Sequence, residues 1–99
     1  MGKPCYTDYI RHSLRFYCRY HDNIRFRNDV DKQNWQACDH VMRLCAELEQ
    51  EILFDVYRGY DPIEENVRKT ADKFGMLPND IWRIMYPFER DIAKRRGLI

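Results

Sequence analysis

The chain has 99 residues, of which 33% are charged and 44% hydrophobic, and its formal net charge is +1. No stretch approaches the roughly 20 consecutive apolar residues that a membrane span requires, and the first residues lack the apolar run of a signal peptide. These features exclude a transmembrane function, predict a single domain over residues 1–99, and make the cytoplasm the expected location.

The net charge hides an uneven distribution along the chain. Residues 1–27 contain six basic and two acidic residues (+4), residues 28–66 contain three and ten (−7), and residues 67–99 contain eight and four (+4). A dipolar chain of this kind can orient its basic end toward phosphate groups. The alternative is that oppositely charged helices neutralise one another in the fold, as surface ion pairs worth about 0 to 1 kcal/mol each.

The first predicted element is an amphipathic helix over residues 7–20, whose apolar positions recur at helical spacing. Along another face of this helix, Arg11, Arg15 and Arg19 repeat every four residues. Such a row is typical of a solvated face, and it would extend a DNA-binding surface if the helix packed beside one. Residues 21–28 have no clear period and are predicted to form a connection.

A second helix follows, and Asp29 or Asp31 is predicted to cap it. Because no Gly or Pro separates it from the third helix, the position of the break near residues 44–47 stays open. The thiols of Cys38 and Cys45 are interpreted as small buried apolar groups, so neither a metal nor a cofactor is expected. The apolar stripe of the two helices contains Trp35, Cys38, Val41, Met42, Cys45, Leu48, Ile52, Leu53, Val56 and Tyr57.

Two more helical stretches complete the prediction. Gly59 is expected to stop the third helix, and Asp61 followed by Pro62 is expected to start the fourth, which ends at Gly75. Pro87 is expected to kink or break the last stretch, because its ring crowds a backbone carbonyl and it donates no hydrogen bond. The predicted fold is therefore all-α, a small bundle of four to five helices with a helix-turn-helix on its C-terminal side.

Residues 67–86 resemble a helix-turn-helix of the DNA-binding kind. That family has a small residue where the two helices cross, matched by Ala71, a glycine at the turn, matched by Gly75, and aliphatic core residues, matched by Ile81 and Ile84. Residues 45–97 as a whole look like region four of bacterial sigma factors, in which a helix rich in Glu and Leu precedes the helix-turn-helix and basic residues follow it. The chain is similar in layout to small proteins of this type from phages and mobile elements, although residues 1–44 form N-terminal helices of unassigned role.

The resemblance implies a small DNA-binding protein that regulates transcription, with double-stranded DNA as its partner. In that family's arrangement, Arg83 would read guanine and Asn79 would read adenine, each worth about 1 to 3 kcal/mol of discrimination. The positions carried over to the base-facing surface are Asn79, Trp82, Arg83 and Tyr86. The positions carried over to phosphate contacts are Lys69, Lys73, Arg90, Lys94, Arg95 and Arg96.

A second function is compatible with the same fold. Trp82, Tyr86 and the acidic middle block would then hold a protein partner, such as RNA polymerase or a phage protein, without DNA readout. A homodimer through the first two helices would serve either function. Catalysis is not expected, because the sequence has no Gly-rich phosphate loop, no GxSxG motif and no Cys with an evident His partner. Glu47, Glu51 and Asp55 follow the spacing of an exposed helical face rather than that of an acid–base pair.

Overall fold

The computed structural model describes residues 3–20 and 25–99, and in this part of the chain it contains five helices and no strand. The all-α prediction is therefore confirmed. Within the same ranges, no helix combines the length and the apolar character that a membrane span requires. The helices are α1 (Thr7–Arg19), α2 (Asp29–Leu44), α3 (Glu47–Arg58), α4 (Ile63–Phe74) and α5 (Pro78–Arg95).

One hydrophobic core connects all five helices. Each helix buries an apolar stripe at helical spacing, and removal of that surface from water is the main driving force for their association. The first two helices therefore share their core with the last three. Fully buried members include Leu14 of α1, Cys38 of α2, Leu53 of α3, Ala71 of α4 and Met85 of α5.

Two helix starts differ from those predicted. The cap of α2 is Asn28, whose side-chain oxygen accepts a hydrogen bond from the backbone N–H of Asp31 at 2.9 Å, so neither Asp29 nor Asp31 is the cap. α4 begins after Pro62 without a side-chain cap, so the prediction for Asp61 was also wrong. Neighbouring polar residues compete for the same free N–H groups, and the winner is the one whose backbone is extended at the helix entrance, as that of Asn28 is.

The break between α2 and α3 lies at Cys45 and Ala46, which both have extended backbone. The carboxylate of Glu49 accepts a hydrogen bond from the N–H of Ala46 at 3.2 Å and thereby fixes the start of α3. The change of direction turns two leucines away from the core, since Leu44 and Leu48 are 74% and 57% exposed. The assignment of Leu48 to the apolar stripe was therefore wrong.

Gly59 ends α3 as predicted, but for a different reason. Its φ is −64°, so it does not use the left-handed conformation of a typical C-terminal glycine. A Cβ at this position would lie 2.5 Å from Cγ and Oδ1 of the buried Asn66 side chain. The glycine is required by the close approach of α4.

The arginine row of α1 faces the protein, which corrects both expectations for it. Arg15 Nη1 and Arg19 Nη2 donate to the carbonyl oxygen of Gly59 at 2.8 and 2.7 Å, and Arg11 forms a buried pair with α5. The carbonyls at a helix end lack partners within the helix and carry partial negative charge, so the cations of α1 satisfy them. The row is neither a solvated face nor a free phosphate-binding surface.

α5 continues across Pro87, so the second of the two expected outcomes, a kink or a break, was wrong. Met85 and Phe88 are buried on either side of the proline and hold both halves of the helix to the core. Pro87 itself is exposed, and the carbonyl that loses its partner belongs to the exposed Arg83. Water can replace the missing donor there, which lowers the cost of a proline within the helix.

Candidate nucleic-acid interface

α4 and α5 are joined by a three-residue turn that begins at Gly75. Gly75 has φ 66° and ψ 36°, which confirms the predicted left-handed conformation. The N–H of Met76 donates to the carbonyl of Ala71 at 2.9 Å, and the N–H of Gly75 donates to that of Asp72 at 3.4 Å. These two bonds form a Schellman motif. They set the direction in which the chain enters α5.

The start of α5 is fixed by its own first turn. Pro78 occupies the first helical position, where its missing N–H costs nothing. One carboxylate oxygen of Asp80 accepts a hydrogen bond from the backbone N–H of Leu77 at 3.2 Å, and the other lies 3.6 Å from Arg83 Nη1. Asp80 therefore satisfies the N–H of Leu77, the residue that precedes the helix, and its charge is also close to the neighbouring guanidinium.

The outward face of α5 contains three of the four residues predicted to face bases. Asn79, Arg83 and Tyr86 are exposed, and the side chain of Arg83 is 79% accessible. The opposite face of the helix, with Ile81 and Met85, is fully buried. The three exposed side chains lie at spacings of three and four residues, so they share one side of the helix.

Trp82, the fourth of these residues, is half-buried and packs against the core. Its ring stacks on that of Tyr86, with centroids 5.4 Å apart and planes inclined by 19°. The guanidinium of Arg11 lies over the indole at 5.4 Å from its centroid. Arg11, Trp82 and Tyr86 thus form a layered arrangement that runs from α1 to the outward face of α5.

A buried carboxylate lies below this arrangement. Glu89 is 2% exposed and accepts hydrogen bonds from Arg11 Nε at 2.8 Å and from Tyr57 Oη at 2.5 Å. Burial and the neighbouring Glu89 carboxylate raise the pKa of Tyr57 well above its usual range, so the phenol stays a donor. Glu89 is not among the residues predicted from the sequence. Its burial could have been predicted from its position, because it lies at helical spacing from Met85 and Ile92, on the apolar face of the helix.

The cations predicted to contact phosphates divide into two groups. Lys69 Nζ is 2.6 Å from Asp61, Lys73 Nζ is 3.0 Å from Asp55, and Arg96 Nε donates to Asn34 at 2.6 Å. Three others are exposed and have no ion pair with any described acid. They are Arg90, Lys94 and Arg95.

The cysteines form no disulfide. Cys38 is fully buried, as predicted, whereas Cys45 is half-buried. Burial, with a smaller effect of Asp39, raises the pKa of Cys38 to about 12. In residues 3–20 and 25–99, no group of three or more His, Cys, Asp or Glu side chains is placed to hold a metal ion.

Comparisons of the chain with protein-family models, with curated proteins and with solved structures found no match.

Proposed function

We propose that the protein binds double-stranded DNA and regulates transcription, with α4 and α5 acting as a helix-turn-helix. The observation that carries this proposal is the outward face of α5. Asn79, Arg83, Tyr86 and Arg90 are exposed there, on a helix whose other face is anchored in the core. An α-helix with its side chains is about 10 to 12 Å across, which matches the roughly 12 Å width of the major groove.

The base contacts would come from the first two turns of α5. The guanidinium of Arg83 offers paired donors to guanine, and the amide of Asn79 offers a donor and an acceptor to adenine. Each such contact is worth about 1 to 3 kcal/mol of discrimination. Asp80 lies 3.6 Å from Arg83 in an exposed pair worth about 0 to 1 kcal/mol, so the guanidinium can leave it for a base.

Phosphate contacts would come chiefly from the C-terminal half of α5. Arg90, Lys94 and Arg95 are exposed and unpaired with any described acid, so they are available to DNA. Lys69 and Lys73 would first have to leave Asp61 and Asp55. These ion pairs are exposed and worth about 0 to 1 kcal/mol each. Breaking them reduces what the two lysines contribute to phosphate binding but does not prevent it.

A salt titration of duplex binding tests the proposal. Fluorescence anisotropy with a mixed-sequence duplex should give a log affinity that falls linearly with log salt, with a slope of about 0.9 for each phosphate contact. Lys94→Ala should reduce that slope by about one and weaken binding to all duplexes alike, whereas Arg83→Ala should reduce the preference for one DNA sequence over another. Lys32→Ala, at an exposed lysine of α2, is the matched control. Absence of binding at about 50 mM salt would contradict the proposal.

A protein partner such as RNA polymerase is the second candidate. A cleft of about 540 Å³ separates α5 from the junction of α2 and α3, and Leu44, Ile84 and Pro87 are among the residues that line it. Leu44 is 74% exposed, so it presents apolar surface to solvent at the edge of this cleft. Purified RNA polymerase should then bind the wild-type chain and lose affinity for Leu44→Ser, with helicity unchanged by circular dichroism. Undiminished binding by this variant would reject the candidate.

A further inference from the structure

A second cleft lies along the adjacent face of α5, between the segment before α1 and the C-terminal half of α5, and it shares Pro87, Asp91 and Lys94 with the first. Its volume is about 690 Å³, within the range of roughly 300 to 1,000 Å³ for small-molecule sites. Tyr6 and Tyr86 contribute aromatic surface, and Lys3, Arg90 and Lys94 contribute positive charge. The cleft therefore combines an apolar wall with a cationic rim.

Tyr86, which forms part of the aromatic wall, is held in place by contacts outside the cleft. Trp82 covers Tyr86 on its N-terminal side and does not line the cleft, whereas Tyr86 does and is 53% exposed. Arg11 fixes Trp82 in turn, since its guanidinium is bound to the buried Glu89. Preorganisation of this kind reduces the conformational entropy that a ligand must remove when it binds.

The charges around the cleft favour an anion. Two acids also line it, but Glu89 already accepts hydrogen bonds from Arg11 and Tyr57, which leaves Asp91 as the exposed one. Lys3 is paired with Asp8 at 2.6 Å, yet both side chains are more than half exposed. Such a pair yields readily to another anion.

We propose that this cleft binds one nucleotide, with its base stacked on Tyr86 and its phosphate paired with Arg90 and Lys94. Trp82, Tyr86, Arg90 and Lys94 follow one another at intervals of four residues, so the two cations continue the aromatic row along one face of α5. An aromatic platform beside cations is the common chemistry of unpaired-base recognition. This inference goes beyond the proposed function, because a duplex read in its major groove presents no unpaired base.

The nucleotide could be free in solution or an unpaired residue of a DNA strand, and two experiments distinguish these sources. For the free ligand, amide chemical shifts are followed while adenosine 5′-monophosphate is added, with ribose 5-phosphate as the probe that lacks the base. For the strand, anisotropy compares a blunt duplex with the same duplex carrying a single-nucleotide overhang. Shifts at Tyr6, Tyr86 and Arg90 with the monophosphate, or an overhang that binds roughly tenfold tighter, support the proposal.

Variants tie the effect to the cleft. Tyr86→Leu should remove the preference for the overhang and reduce the affinity for the monophosphate by roughly tenfold or more. Tyr60→Leu is the matched control, because Tyr60 is 79% exposed and does not line the cleft. Circular dichroism of both variants checks that they are folded.

The proposal is overturned if the monophosphate produces no shifts and the two duplexes bind equally. It is also overturned if ribose 5-phosphate binds as well as the monophosphate, since the base would then add nothing. Failure of duplex binding is a separate result. A chain that binds neither duplex yet still binds the monophosphate through Tyr86 would contradict the proposed function and support the nucleotide cleft.

Discussion

Arg11 Nε donates to Glu89 Oε2 at 2.8 Å, which joins α1 to α5 across 78 positions of the chain. The Arg11 side chain is 11% exposed and that of Glu89 is 2% exposed, so both charges are largely removed from water. Their attraction is offset by the cost of desolvation, but the pair fixes one arrangement of the two helices. It also places the guanidinium over Trp82, next to the proposed DNA-binding face.

Arg11→Met should be strongly destabilising, because it leaves the Glu89 carboxylate buried with only the Tyr57 hydroxyl as a described partner. Breaking one side of a buried pair costs about 3 to 5 kcal/mol. The double variant Arg11→Met with Glu89→Gln should recover most of this loss, since no uncompensated charge remains. Urea unfolding followed by circular dichroism measures both changes. Arg27→Ala, in an exposed pair with Asp31, is the control, and an equal cost for it and Arg11→Met would refute the argument.

Gly59→Ala should destabilise the protein by about 1 to 3 kcal/mol, because the added methyl group would overlap the buried Asn66 side chain. Adding Asn66→Ala should relieve most of that cost. Gly75→Ala should also cost about 1 to 2 kcal/mol, but through its positive φ, since nothing lies within 4 Å of a Cβ there. Thermal unfolding of the single and double variants distinguishes the two causes. If Asn66→Ala restored the stability of Gly75→Ala as much as that of Gly59→Ala, the steric explanation for Gly59 would be wrong.

The stability of the protein should depend on Asp55 in acid. Burial alone would raise the pKa of this carboxyl, but hydrogen bonds from Thr70 and Lys73 outweigh that effect and lower the pKa below its ordinary value of 3.8. The folded state therefore holds its proton less tightly than the unfolded state. This contribution is fully present above about pH 4 to 5 and is lost as the pH falls through the lowered pKa.

Asp55→Asn should consequently reduce the steepness with which the free energy of unfolding declines below about pH 4. Thr70→Val removes one of the two donors, so it should give an intermediate slope. Urea titrations at a series of pH values provide the measurement. A pH dependence identical in Asp55→Asn and wild type would mean that the ion pair between α3 and α4 does not contribute.

The cysteines should react with a thiol reagent in a fixed order. The nucleophile is the thiolate, and burial raises the pKa of both Cys18 and Cys38, whereas Cys5 is exposed. At pH 8, iodoacetamide should therefore modify Cys5 first and reach Cys18 and Cys38 only through unfolding. Mass spectrometry of digested samples identifies the order. Modification of Cys38 as fast as Cys5 in the native protein would contradict the burial of α2 against the core.

Much of the fold could be predicted from local patterns. Helical spacing predicted a helix over residues 7–20, where α1 spans Thr7–Arg19, and Gly75 predicted both the end of α4 and its left-handed turn. These features depend on interactions within a few residues, which a sequence displays directly. The cap of α2 at Asn28 and the uncapped start of α4 at Pro62 were missed, because adjacent residues offered equivalent side chains or the same turn chemistry and the backbone path decided between them.

The sequence by itself determined four to five amphipathic segments, the glycine turn and three exposed residues of α5, because each depends on residues close together in the chain. Only the tertiary structure decided that the arginines of α1 point inward, that Glu89 is buried, and that α5 passes through Pro87 unbroken. The physical reason is that the partner of a charged or hydrogen-bonding side chain is often distant in the sequence. Only the fold determines which partner lies close enough to bind it. From the sequence, Arg19 is expected to be a solvated cation, but in the structure it donates to the carbonyl of Gly59 at 2.7 Å.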